Sequence, residues 1–376
     1  MLSTRTAIAG IAAAIALTLT LSSCASTSAD ASADGGVDAA TATSVSAFGD
    51  LAGLEEAAKA EGALNVIALP RDWANYGAVL DAFSAKYPEI SITEASPDAS
   101  SAEEIQAADN LAGQDTAPDV FDVGAAVALA NTDKFAPYQV ETWADIPDAL
   151  KEQSGLWVGD YGGYMAIGYD PDAVPAPTSL DDLLGDEYKG KVAINGDPTQ
   201  AGAAFAAVGM ASVQNGGSTA DFQPGIDFFS DLNAAGNMLK LDVTTATVAS
   251  GETPVVFDWD YLNAAHQADN KNWKVTILPG TGYAGYYNQA INKEAPNPAA
   301  ARLWQEFLYS DEGQNLWLAG GVRPVRADAM AAAGTIDQER YAALPEVSGD
   351  PVIPTNEQTE AMAAYLADAW TDVVGG

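Results

Sequence analysis

The sequence predicts an α/β protein of about two domains, and three observations carry that reading. Strand, loop and helix alternate along the chain in two sets, the second beginning after a Tyr/Gly-rich stretch from Tyr161 to Tyr169. The 376 residues suffice for roughly two domains of ~150 residues each. With 48% hydrophobic and 18% charged residues, the chain has the composition of a protein with a core rather than a disordered one.

The first set opens with a short Ala/Glu helix from Leu51 to Ala60, followed by a buried-type strand, Ala63 to Leu69, bounded by Gly62 and Pro70. Tyr76 to Tyr87 has helical spacing through Val79, Leu80, Phe83 and Tyr87, and it stops before Pro88. Ile90 to Thr93 is the next strand, Ala102 to Leu111 the next helix, and Asp119 to Val123 the third strand. Such alternation predicts a largely parallel sheet. In the second set Lys191 to Ile194 is a strand, Thr199 to Ala211 and Asp221 to Ala235 are helices, and Pro254 to Phe257 and Lys274 to Leu278 are strands. Pro298 to Tyr309 is an amphipathic helix with Leu303, Trp304, Phe307 and Leu308 on its apolar side. Residues 326–376 read as surface helices between Pro-containing loops, and the chain has no internal repeat.

The first residues read as an export signal. Arg5 is the only basic residue before an apolar run from Ala7 to Leu21, which is short for a membrane span and ends in small residues. The only cysteine follows in Leu21-Ser22-Ser23-Cys24, which resembles the lipobox of bacterial lipoproteins. That resemblance implies cleavage of a signal peptide over 1–23 and a diacylglycerol on the Cys24 thiol. The protein is then expected at the cell membrane, lipid-anchored on the extracellular face. The Ala/Ser/Thr/Asp-rich segment 24–48 is expected to be a flexible tether, with the globular part starting near Leu51.

Composition excludes several functions. Sixteen Lys+Arg against 52 Asp+Glu give a formal net charge of −36, so no basic face for nucleic acid is expected. One histidine, His266, and one cysteine leave no room for an H-E-x-x-H zinc site, a disulfide or a Cys-rich metal site, and little for Ser- or Cys-His catalysis. Gly280 to Gly285 matches G-x-G-x-x-G but leads into a second strand rather than a helix, so no helix N-terminus awaits a pyrophosphate. Gly185 to Lys191 matches G-x-x-x-x-G-K, but Val192 stands where Ser or Thr would hold magnesium. Asp258 and Asp260, two apart on a strand and ~6–7 Å between Cα atoms, lack the separately placed acid that glycoside hydrolysis needs.

The order of five segments resembles a known family: Gly62-Ala63-Leu64-Asn65-Val66, Pro118-Asp119-Val120, Tyr188 to Ala193, Gly251 to Val256, and Ala295 to Ala301 running into Phe307 to Gln314. The chain is similar, from Gly62 to about Arg326, to the extracellular solute-binding proteins of ABC importers, in the branch that holds polyamine, ferric iron, thiamine and phosphonate receptors. The resemblance implies a two-lobed periplasmic-binding fold (type II) with ligand held in the cleft between lobes. No catalysis, cofactor or resident metal is then expected. The first lobe would take 49–164 plus about 279–325 and the second 165–278, with the helices of 326–376 packing on both.

In α/β sheets ligands meet the loops at the carboxyl ends of strands. The first such loop carries Asp72, Trp73 and Tyr76, and Trp73 and Tyr76 reproduce the spacing of a Trp-x-x-Tyr pair in polyamine receptors. The third strand ends in Asp122 and Gly124, where a charge and a close approach are expected, although Asp122 could equally cap a helix. Tyr161 and Tyr164 lie at the expected first crossover, whose glycines permit a hinge to bend; Asp197 lies at a helix start in the second lobe. Trp259, between Asp258 and Asp260, falls where polyamine receptors carry a tryptophan over the ligand. Asp260-Tyr261 stands where ferric receptors present a Tyr-Tyr pair, and the pair that exists, Tyr286-Tyr287, would point to opposite faces of its strand. An aspartate usual in polyamine receptors is replaced in this stretch.

Aromatic faces hold ammonium groups and carboxylates add charge-assisted hydrogen bonds, whereas the candidate loops supply only Arg71 for an anion. The resulting expectation is a monomeric receptor that captures an organic cation, such as putrescine or spermidine, and delivers it to the ABC permease subunits. A ferric iron, thiamine or phosphonate receptor is the alternative within the family, and a secreted hydrolase the contrasting class.

Overall fold

The computed structural model describes residues 37–345 and 351–374; the signal segment, Cys24 and the tether up to residue 36 lie outside the described residues. The first part of the chain forms α1 (Leu51–Glu61), β1 (Ala63–Ile67), α2 (Tyr76–Lys86), β2 (Ser91–Ala95), α3 (Ser101–Asn110), β3 (Val120–Gly124), α4 (Ala125–Ala130) and β4 (Phe135–Ala136). The long strand β5 (Val158–Tyr169) leads to β6 (Val192–Ile194), α5 (Gly202–Gln214), α6 (Gln223–Ala234), α7 (Thr245–Ala249), β7 (Val255–Trp259), α8 (Asp260–Ala265) and β8 (Lys274–Thr276). Next come β9 (Ala284–Asn292), α9 (Pro298–Leu308), α10 (Asp311–Ala319), β10 (Arg323–Pro324), α11 (Ala327–Ala333), α12 (Gln338–Ala342) and α13 (Asn356–Val374).

Two strands define the lobes. The first half of β5, Val158 to Tyr164, pairs antiparallel with β9, and its second half, Met165 to Tyr169, pairs with β7 and β8. Beyond its pairing with β5, β9 runs on against β3 and β4. The chain thus passes from one sheet to the other within a single strand and returns on a second, giving the expected two-lobed α/β architecture. A largely parallel sheet is not what forms: β1 with β2 and β6 with β7 are parallel, but every pairing of β5 and β9 is antiparallel. The crossover strands run against the strands they join, which alternation of elements alone does not reveal. The glycines of β5 also serve a different need from bending. A Cβ on Gly162 would strike the Gly285 carbonyl and one on Gly163 the Asp260 carboxylate, so these positions are empty to let neighbouring elements in.

The packed body begins before Leu51. Arg302 of α9 is buried, and its Nε and Nη2 donate to the carbonyls of Ala42 and Ala40 at 2.7 and 2.9 Å. Ala42 and Val45 are buried as well. Residues 38–48, expected as part of a tether, are therefore part of the packed body, because a buried guanidinium needs carbonyl acceptors and this low-complexity segment supplies them from its backbone. Along the same helix Trp304 is fully buried, 5.2 Å from the Phe83 ring of α2. At the chain end, α13 lies on α6 through Phe229 and Trp370, 5.7 Å between ring centres, and through Asn233 Nδ2 donating to the Val373 carbonyl at 2.9 Å. Its first turns reach α4 in the other lobe. Among the described residues no helix is long and apolar enough to cross a membrane.

Candidate functional site

The loop after β1 turns sharply, with Ala74 and Asn75 in the left-handed region (φ 48° and 70°) and Asn75 Nδ2 donating to the Leu316 carbonyl at 2.7 Å. That turn starts α2 at Tyr76 and sends two aromatics inward. The Tyr76 hydroxyl donates to Asp122 Oδ2 at 2.8 Å, and the Tyr161 hydroxyl donates to the same oxygen at 2.6 Å. Trp73 Nε1 donates to the Tyr161 hydroxyl at 2.9 Å. Gln289 of β9 completes the chain, its Nε2 donating to the Tyr76 hydroxyl at 2.9 Å and to Asp160 Oδ2 at 2.8 Å. Every member of the network other than Trp73 is buried.

Around this network the rings interlock. Tyr287 stacks on Tyr161 at 5.6 Å and receives Trp73 edge-on at 5.5 Å. Trp259 of the second lobe meets Tyr287 at 6.5 Å, Tyr261 meets Tyr161 at 6.0 Å, and Trp317 of α10 backs Tyr161 at 4.7 Å. Four buried polar atoms of this cluster are left without partners: Asp122 Oδ1, the Tyr261 hydroxyl, and the indole Nε1 atoms of Trp259 and Trp317. Buried polar groups are almost always satisfied, and of these four atoms Asp122 Oδ1 alone belongs to an acidic side chain.

Burial shapes the electrostatics of this cluster. Burial pushes Asp122 well above the usual carboxylate range, opposed by the hydroxyls of Tyr161 and Tyr76. Burial raises Asp258 to about 7, against bonds from the Trp259 backbone N–H and Asn195. Burial and the Asp122 charge raise Asp160 and Glu104 too. Arg323 pairs instead with Asp260 at 2.8 Å and lies 4.4 Å over the Tyr164 ring. Among the described residues no group of His, Cys, Asp and Glu could hold a metal ion.

The structure brings together Trp73, Tyr76, Asp122, Tyr161, Trp259 and Tyr287, with Asp258 beside them. It does not bring in Asp197, which is exposed and binds the Thr199 N–H and hydroxyl in a local turn. Tyr164 and Asp260 belong to the Arg323 side of β5, because Tyr164 and Tyr161 fall on opposite faces. Tyr286 likewise faces away from Tyr287, toward Gly162. Asp72 is exposed, yet the hydroxyl of Thr245 from the other lobe donates to it at 2.5 Å. Gly124 is needed for close approach: a Cβ there would stand 2.9 Å from Gly202 Cα at the start of α5. The lobes therefore touch at Gly124–Gly202 and at Asp72–Thr245. Sequence reasoning missed Gln289, Tyr261 and Trp317. Gln289 had a signal, standing two residues after Tyr287 on the same strand face.

This geometry is that of a two-lobed binding protein whose cleft encloses a small solute. The sequence matches the model of the bacterial extracellular solute-binding protein family over residues 115–345. The chain belongs to that family, whose members are solute-binding proteins and not enzymes. Solved structures share the fold. A putative spermidine/putrescine ABC transporter protein from Listeria monocytogenes is 14% identical, with a TM-score of 0.63 over 83% of this chain and 98% of that one. Iron-bound HitA from Pseudomonas aeruginosa is 18% identical, with a TM-score of 0.58 over 83% and 99%. AfuA from Actinobacillus pleuropneumoniae, solved with fructose-6-phosphate, is 16% identical, with a TM-score of 0.66 over 83% and 99%. No curated protein matches.

Proposed function

We propose that the solute carried to the permease is an organic cation, the class to which polyamines belong. The observation that carries this reading is Asp122, a buried carboxylate with one oxygen bound by two tyrosines and the other open, in a cage of Trp73, Tyr161, Trp259 and Tyr287. An ammonium would donate to the open oxygen and lie against ring faces. A phosphate or phosphonate would meet the same carboxylate while Arg323 is committed to Asp260, and ferric iron would have to displace the hydroxyl protons by which Tyr76 and Tyr161 bind Asp122. Closure of the lobes around solute would present a matched surface to the permease. Cys24 would keep the protein at the membrane as a lipoprotein.

Native mass spectrometry of the purified protein, followed by thermal melts with spermidine, putrescine, thiamine, ferric citrate and methylphosphonate, tests the assignment. A co-purifying amine, and stabilisation by cations alone, is expected. Stabilisation by methylphosphonate or iron with none by any amine would overturn it.

A further inference from the structure

We infer that the solute is an amphiphilic monocation: one ammonium-type charge placed against Asp122 and an uncharged, apolar body in an adjoining chamber walled in part by the C-terminal helix α13. This deepens, and rests on, the cation reading above. Two independent observations carry it. The first is the supply of open carboxylate oxygens. Asp160 is bound by the Tyr161 N–H and Gln289, Asp258 by the Trp259 N–H and Asn195, and Asp260 by the Tyr164 N–H and Arg323. Among the described residues Asp122 Oδ1 is the buried carboxylate oxygen without a partner. One open oxygen serves one ammonium.

The second observation is the chamber. It measures about 100 Å3; Gly124, two residues beyond Asp122 on β3, lines it together with Tyr287 and Trp259, and Tyr287 stands between it and Tyr161 of the carboxylate cluster. None of its lining residues is charged. Ala125, Ala126 and Val127 of α4 form one wall, the start of α5 at Gly202 another, and Thr359 and Ala363 of α13 the third. A second ammonium in this space would lose its hydration without gaining a counter-charge, whereas a hydrocarbon arm would gain contact on all sides. The walls come from both lobes and from the chain end. Helix α13, which holds α6 of one lobe and reaches α4 of the other, is thereby a determinant of which body fits.

The test compares two probes of equal length, n-hexylamine and 1,6-diaminohexane, by titration calorimetry on the full chain. The monoamine should bind at least about tenfold more tightly. Two variants narrow the chamber from opposite walls, Ala363→Trp on α13 and Ala126→Leu on α4. Each should weaken n-hexylamine by about tenfold or more and change n-propylamine by less than about threefold, with thermal melts confirming the fold. Two variants from different elements keep the result readable if one fails to fold. Equal or tighter binding of 1,6-diaminohexane, or n-hexylamine affinity untouched in both folded variants, overturns the inference and leaves the cation reading standing. Failure of every amine to bind overturns both.

Discussion

Replacing Asp122 by Asn removes the charge at the centre of the proposed site while keeping its shape and its bonds to Tyr76 and Tyr161. A hydrogen bond to a charged group is worth about 1.5–3 kcal/mol, so affinity for an alkylammonium such as n-hexylamine should fall roughly 10- to 150-fold. The stability effect has the opposite sign. Burial holds the folded Asp122 well above its ordinary value of 3.8. A carboxyl raised by folding contributes its stability in full below the unfolded pKa, and loses it as pH rises through the folded value. The unliganded protein should therefore melt lower at pH 8 than at pH 5.5, and Asp122→Asn should flatten that slope. Binding runs the other way. An alkylammonium, like lysine at ~10.4, stays charged throughout, so it binds the ionised carboxylate more tightly at pH 8 and releases protons on binding near neutrality. Calorimetry in two buffers of different ionisation enthalpy measures that release. Wild-type affinity in Asp122→Asn, with unchanged proton release, would show that the cation does not sit at Asp122.

Trp73→Ala should remove the bond to Tyr161 and the edge contact with Tyr287, weakening a bound amine by about 1–2 kcal/mol with a small change in melting temperature. Trp304→Ala, in the α9 core, should cost ~3–5 kcal/mol of stability while the folded fraction binds normally; titrations and melts on the pair separate the roles. Gly124→Val should hold the lobes apart because its side chain would meet Gly202, and small-angle scattering should show no ligand-dependent decrease in radius of gyration. Cys24→Ser should move the protein from the membrane to the soluble fraction without altering affinity, as fractionation and calorimetry would report.

Much of this arrangement was legible because backbone periodicity carries it. The helix of Trp304, the strand of Tyr287 and the loop of Trp73 and Tyr76 follow from spacing and from flanking Gly and Pro. What periodicity cannot carry is a choice between two faces, or between a local and a distant partner. Tyr164 stands three residues from Tyr161, but a shift of register between Gly159 and Gly162 hides from the sequence which tyrosine turns inward. Asp197 before Pro198 and Thr199 looks the same whether it reaches for a ligand or, as here, closes its own turn. Trp317 was unreadable for another reason: it reaches Tyr161 from α10, late in the chain, through tertiary packing alone. The packing of residues 38–48 was hidden because Arg302 binds backbone carbonyls, which every sequence has.

On the proposed reading, selectivity follows from what closing this cleft does to Asp122. With the lobes in contact at Gly124–Gly202 and Asp72–Thr245, the carboxylate has lost water on every side, and its open oxygen must be satisfied by a proton or by a donor on the solute. A proton neutralises Asp122 but leaves the aromatic cage and the chamber empty. A neutral isostere of the solute fills the space but leaves an ionised carboxylate unpaired or forces it to take up a proton, so it gains little on closure. Only a guest that brings positive charge and apolar bulk together satisfies both the carboxylate and the chamber. Discrimination of this kind comes from the cost of burying an unpaired group rather than from added attraction, and it predicts that the neutral alcohol n-hexanol, nearly the shape of n-hexylamine, binds worse by ~100-fold or more at pH 8 and loses less of its affinity than the amine at pH 5.5. Equal affinities for the amine and the alcohol at pH 8 would mean that the chamber binds by shape alone and that Asp122 takes no part.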